Sequence, residues 1–185
     1  MVDYYDTTDH TRSALTERTW KLYQCSRCGG LILAGARSNN GRLEDISEMY
    51  PTPMRVEQAI PALAREYLTQ AIDSLHAPAG SVMLCASAVD AMLKDKGYVI
   101  VNLYGRIEQA AKAHLITDGM KDWAHEVRLD ANDQRHADQA ATLPTTADAQ
   151  RSVDFAQALG QFLFVLPAQI ARGHAEAQAT AADGS

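Results

Sequence analysis

The chain has 185 residues, a formal net charge of −6 and a hydrophobic fraction of 46%, which suits one globular domain with a small appendage and excludes a disordered chain. Three cysteines make no disulfide framework, the polar start lacks a signal-peptide core, and no apolar run approaches the roughly 20 residues that span a bilayer. The expectation is therefore a cytoplasmic protein with no membrane partner. Residues 66–185 carry nine Lys/Arg against fifteen Asp/Glu, so broad electrostatic binding of nucleic acid is excluded and any RNA contact has to be local.

In chain order, residues 1–19 are polar and aperiodic and read as a mobile or loosely docked arm. Trp20–Gln24 and Leu31–Ala34 are short apolar runs flanking Cys25-Ser26-Arg27-Cys28-Gly29-Gly30, which predicts a β-hairpin whose glycines allow a tight turn. Two thiolates two residues apart can face one zinc ion, yet zinc needs four ligands and the second pair is missing. His10 is the nearest histidine, and Cys85 lies in an apolar helical stretch that reads as core. The expectation is no cofactor. If zinc does bind, Cys25 and Cys28 are its ligands, completed by His10 or by the same knuckle of a second chain. Residues 35–56, rich in Gly, Asn, Ser and Pro, read as a linker into the body.

Helical spacing begins at Pro61, with Leu63, Tyr67, Leu68, Ile72 and Leu75 on one stripe. Ser81 is the expected cap of a second helix closed by Gly97, apolar around most of its girth and so expected at the centre. Asp90 is its conspicuous polar residue, and a buried carboxylate there needs a cation, for which Arg128 is a candidate. Asn102 caps a third helix and Thr117 a fourth. Thr145 or Thr146 caps a long fifth helix that Pro167 kinks or divides. The fold expected is all-α: a four- to five-helix bundle over residues 50–176, after an arm, hairpin and linker over 1–49. A disordered Ala/Thr/Gly tail is expected over 177–185.

The fourth helix carries the candidate chemistry. In WAHEVRLDANDQRH, Trp123, Val127 and Ala131 recur every four residues, and so do Arg128, Asn132 and His136. At 100° per residue the second set falls within an arc of about 80°, one polar ladder on one face. A charged fork, a carboxamide and an imidazole so aligned suit a phosphodiester. The competing reading is a structural network that buttresses the bundle, since both arrangements look alike in sequence.

The blocks IPALAREYL, SVMLCASAVDAMLKDKGY, LYGRI, WAHEVRLDANDQRHAD and FLFVLP, in this order, resemble the bacterial family DUF4145, a branch of the HEPN helical superfamily. The hairpin is similar to the zinc-ribbon starts of some members, with half of the ligands. The resemblance implies an HEPN-like bundle that forms a homodimer about the fourth helix. Many HEPN domains are metal-independent endoribonucleases whose signature is Arg, a polar residue, three more residues and His. Asn132 to His136 fits that spacing, but Ala131 stands where Arg is expected, and Arg128 lies one turn earlier. Two readings follow. The first is a catalytically degenerate dimeric interaction module, an accessory of a bacterial defence or nucleic-acid-processing system. The alternative is an endoribonuclease that cuts RNA with His136 as acid or base, Arg128 as charge stabiliser and Asn132 as orienter. Missing Arg at 131 and the acidic bulk favour the first.

Overall fold

The computed structural model describes residues 2–9, 18–26, 29–39, 42–99, 102–136 and 142–183. They form two units, Met1–Met54 and Arg55–Ser185, a small sheet and a helical body.

In the first unit, β1 (Val2–Asp9), β2 (Arg18–Gln24), β3 (Leu31–Asn39) and β4 (Arg42–Tyr50) make an antiparallel meander in chain order. The expected hairpin is its centre: Gln24 pairs with Leu31, the Cys25 amide donates to the Gly30 carbonyl at 2.8 Å, and Gly29 takes φ +72°. Trp20 lies across from Gly35, where a Cβ would stand 2.7 Å from the indole, so only glycine fits beneath the ring. Arg18 and Glu48 form an ion pair from β2 to β4.

Two expectations are corrected here. The arm contains a strand, because Val2, Tyr4, Tyr5, Thr7 and Thr8 have high β-propensity and an edge strand tolerates polar side chains. The expected linker contains most of β3 and all of β4. Asn39 pairs with Arg42 across the sequence Asn40-Gly41, the strongest short-range hairpin signal, which the abundance of Asn and Ser around it disguised.

The second unit is the helical bundle: α1 (Ala62–Asp73), α2 (Pro78–Asp95), α3 (Leu103–Lys112), α4 (Asp118–His136), α5 (Thr146–Gly160) and α6 (Leu166–Asp183). Helix α2 is the central one. It packs on α1, α3, α4 and α5, and Val82, Cys85, Ala88, Val89, Met92 and Leu93 are fully buried along it. Gly97 ends it at φ +94°, with the Gly97 amide donating to Lys94 and the Tyr98 amide to Leu93, a Schellman closure. Its start differs from expectation. The helix begins at Pro78, whose fixed φ and missing N–H suit a first turn without a side-chain cap, and the buried Ser81 hydroxyl instead donates to the Ala71 carbonyl of α1 at 2.8 Å.

Asn102 caps α3 by accepting from the Gly105 amide at 3.0 Å, and Thr117 accepts from Met120 at 3.2 Å ahead of α4. Thr145 and Asp148 form a reciprocal capping box at α5, and these backbone and hydroxyl hydrogen bonds hold the Asp148 carboxyl below its usual range. A π-helical turn, Gln161–Val165, joins α5 to α6 and leaves Pro167 in the first turn of α6, where its lost N–H costs least. Helix α6 runs to Asp183, past the boundary set at 176 from composition, as its alanines permit. The stretch Thr146–Ala179 is long and apolar enough to cross a membrane, which a search for unbroken apolar runs overlooks. Its Val153, Phe155, Leu159, Leu163 and Val165 belong to the bundle core.

Candidate functional site

Four helices of the body converge on a pocket of about 450 Å³. Helix α2 presents Ser87, Asp90, Ala91 and Lys94 to it, spaced three and four apart on one face. The N-terminal turn of α3 brings Asn102, Leu103, Tyr104 and Arg106, and α4 brings Arg128, Ala131 and Asn132. Leu63 and Tyr67 of α1 complete the lining. Two of the three ladder residues, Arg128 and Asn132, thus share the pocket with Asp90. His136 is the last residue of α4, and its side chain lies outside the described residues.

Asp90 is where the polar network is anchored, and its partners differ from the expected one. Arg106 pairs with one carboxylate oxygen and Lys94, one helical turn on, with the other at 2.6 Å. Arg106 is the nearer claimant because the short connection from α2 to α3 returns it beside Asp90. Its side chain is only 11% exposed, and its guanidinium also donates to the Val99 carbonyl at 3.3 Å. This is a pair held in low dielectric, where a charge needs its counter-ion.

Arg128 is consequently left without a carboxylate among the described residues. Its guanidinium carbon lies 5.4 Å from the centroid of the Tyr104 ring, a cation–π contact. Tyr104 in turn stacks on His125 at 4.8 Å, and the His125 Nε2 lies 2.8 Å from Glu108. Among the described residues the Arg128 Nε, the Arg106 Nε and the His125 Nδ1 are buried without a hydrogen-bond partner. Buried donors of a charged group are ordinarily satisfied, and both of these arginines line the pocket. Lys94, Arg106 and Arg128 against Asp90 leave two positive charges on the lining, and the positive end of the α3 dipole adds to them.

The apolar stripe of α4 faces elsewhere. Val127 and Ala131 are 3% and 2% exposed and belong to the core, while Trp123, half-exposed, packs its ring 5.0 Å from Phe155. Residue 131 is therefore part of the wall between core and pocket. Tyr104, Arg106 and Lys94 carried no site signal in the sequence, and Tyr67 read only as part of the apolar stripe of α1. The LYGRI block contains two of them, but nothing in its spacing showed that it would meet α4.

Of the cysteines, Cys25 follows β2 at the turn and Cys28 lies outside the described residues. Among the described residues no three His, Cys, Asp or Glu side chains gather to hold a metal. Cys85 is buried on α2, and burial pushes its thiol up to about 12, which keeps it protonated and unreactive.

The model of one family, Domain of unknown function (DUF4145), matches residues 69–176, a span that contains every pocket residue except Leu63 and Tyr67. Comparison with curated proteins and with solved structures gives no match.

Proposed function

The chain belongs to the DUF4145 family, and from that premise we propose that its helical body is an HEPN-like module that holds a phosphate-bearing partner, RNA being the first candidate, without cutting it. It works as a homodimer in the cytoplasm, as an accessory of a bacterial defence or nucleic-acid-processing system. The observation that carries the reading is the environment of Arg128. The guanidinium lies on Tyr104, with a buried unpaired Nε and no carboxylate partner among the described residues, in a pocket with two excess positive charges. Such a group binds an anion well.

Loss of cleavage is read from residue 131. The nuclease signature places an arginine next to Asn132, and here that position is a core alanine at 2% exposure. Cleavage needs both a proton-transfer group and a charge stabiliser aimed at the phosphorane, and Arg128 is occupied by its ring contact one turn away. The nuclease alternative keeps one observation in its favour, that Arg128 and Asn132 do share a pocket. No cofactor enters the proposal.

The test is a fluorescent single-stranded RNA incubated with the full chain in chelator, read by binding and on a denaturing gel. Binding without cleavage is expected. Metal-independent cleavage abolished in both Arg128→Ala and His136→Ala would establish the alternative, and sedimentation as a monomer at micromolar concentration would overturn the dimer.

A further inference from the structure

We propose that His125 is a proton switch on the Arg128 site: a charged imidazole tightens binding of the phosphate-bearing partner and a neutral one weakens it. The inference rests on the previous reading, that Arg128 meets an anion, and adds how that site is regulated. Helices α3 and α4 meet here through four side chains. Tyr104 and Glu108, one turn apart on α3, face His125 and Arg128, one turn apart on α4. The Tyr104 ring is shared, with the imidazole stacked at 4.8 Å and the Arg128 guanidinium carbon 5.4 Å from its centroid. The imidazole, its carboxylate partner and the free guanidinium therefore form one cluster.

The hydrogen bond fixes where the proton goes. An ionised carboxylate only accepts, so the His125 Nε2, 2.8 Å from Glu108, carries its hydrogen in both charge states. The switching proton is taken up and lost at Nδ1, which is buried without a partner among the described residues. With the imidazole neutral, the Glu108 carboxylate stands uncompensated near Arg128 and opposes an incoming phosphate. With the imidazole charged, that carboxylate is neutralised and the site is one charge more positive. The other charged groups around His125 are few. On α4 they are Arg128 one turn on, and Lys121 and Asp122 one turn back, 3.9 Å from each other. On α3 Lys112 lies one turn beyond Glu108, and Arg106 pairs with Asp90 of α2, which also holds Lys94. Helix α5 brings Asp148 and Arg151 to Asp130, on another face of α4. Of all these side-chain types, only an imidazole ordinarily changes charge between pH 5 and 8.

The experiment is fluorescence anisotropy of a labelled 5′-hydroxyl oligouridylate titrated with the full chain from pH 5.5 to 8 at constant ionic strength. The diesters and bases of this RNA keep one charge state throughout, so any pH dependence belongs to the protein. Affinity is expected to rise about threefold to tenfold as pH falls, the effect of one partly screened charge. The rise should span the interval in which the His125 ring titrates by proton NMR. Coupling is reciprocal, so bound RNA should raise that NMR midpoint by about half to one pH unit. His125→Gln, its helicity checked by circular dichroism, should bind at every pH as the parent does at pH 8. Glu108→Gln, at a position 43% exposed, should bind at pH 8 about as tightly as the parent does at pH 5.5. It should also lower the His125 midpoint, which loss of a merely structural contact would not pair with tighter binding. A constant affinity in the parent, or a pH dependence that survives His125→Gln, overturns the switch and leaves the phosphate reading standing. RNA unbound at every pH, by the parent and by Glu108→Gln alike, overturns the phosphate reading and the switch with it.

Discussion

Asp90 is the residue whose removal should reveal how the site is held together. In Asp90→Ala, Arg106 keeps its charge at 11% side-chain exposure with, among the described residues, the Val99 carbonyl at 3.3 Å left to it. Breaking a fully buried pair costs about 3–5 kcal/mol, and an exposed pair is worth about 0.2–1 kcal/mol. Asp90 is 21% exposed and Arg106 less, so the cost falls between these limits, at about 2 kcal/mol. For a domain between 100 and 200 residues, one kcal/mol moves the melting temperature by about 3–5 °C, which gives a fall of about 6–10 °C. Lys94→Ala is the internal control. Its ammonium is 47% exposed and pairs within one helix, so about 0.3–0.5 kcal/mol, or 1–2 °C, is expected. Thermal unfolding followed by far-ultraviolet circular dichroism measures both. Equal shifts in the two variants, or a fall below about 2 °C in Asp90→Ala, would refute the assignment of Arg106 as the buried partner. A double-mutant cycle with Arg106→Ala should return a coupling above about 1 kcal/mol.

Gly160→Ala should destabilise by about 1–2 kcal/mol in urea titration, because the added Cβ would stand 2.5 Å from the Ile60 Cδ1 and overpacking outweighs the helix propensity gained. Ile60→Val removes that atom, so the double variant should lose less than the sum of the singles. The Cys85 thiol is raised from 9.0 to about 12 in the fold. Its contribution is thus fully present below the unfolded value and lost as pH rises through the folded one, so unfolding free energy should fall less between pH 9 and 12 in Cys85→Ala than in the parent. Elemental analysis of protein purified without chelator should find a zinc-to-chain ratio near zero. A ratio near one half, lost in Cys25→Ser, would instead establish a site shared by two knuckles.

The helical body was legible because its signals are local and periodic. The caps at Asn102, Thr117 and Thr145, the closure at Gly97 and the central place of α2 all follow from side chains acting within one turn. The sheet was half legible. The segments that became β1 and β4 carry mostly polar residues, since strands paired on a small sheet need not bury alternate side chains, and they show neither a period-2 alternation nor the short apolar run that marked β2 and β3. Ser81 misled for a related reason. A hydroxyl near a helix start is a cap if the backbone before it is extended, but Pro78 had already turned the chain, and the hydroxyl went across to α1.

For the site, the ladder on α4 followed from spacing alone, but which guanidinium stands free of a carboxylate depended on which of two arginines Asp90 would take. Both Arg106 and Arg128 line the pocket with it. The choice is tertiary: α3 follows α2 after a short connection and folds its first turn back on the Asp90 face, so Arg106 arrives with little chain to order. That choice frees Arg128. Had Arg128 taken Asp90, Arg106 would be the free guanidinium on the lining instead. With Arg106 and Lys94 sharing the carboxylate, the second guanidinium rests on Tyr104 with its charge uncompensated. That the free guanidinium is the one on α4 is therefore a consequence of the Asp90 pairing. Asp90→Asn should accordingly raise the pocket's positive charge by one and tighten binding of the phosphate-bearing partner even as it lowers the melting temperature, a divergence that a purely structural network would not produce.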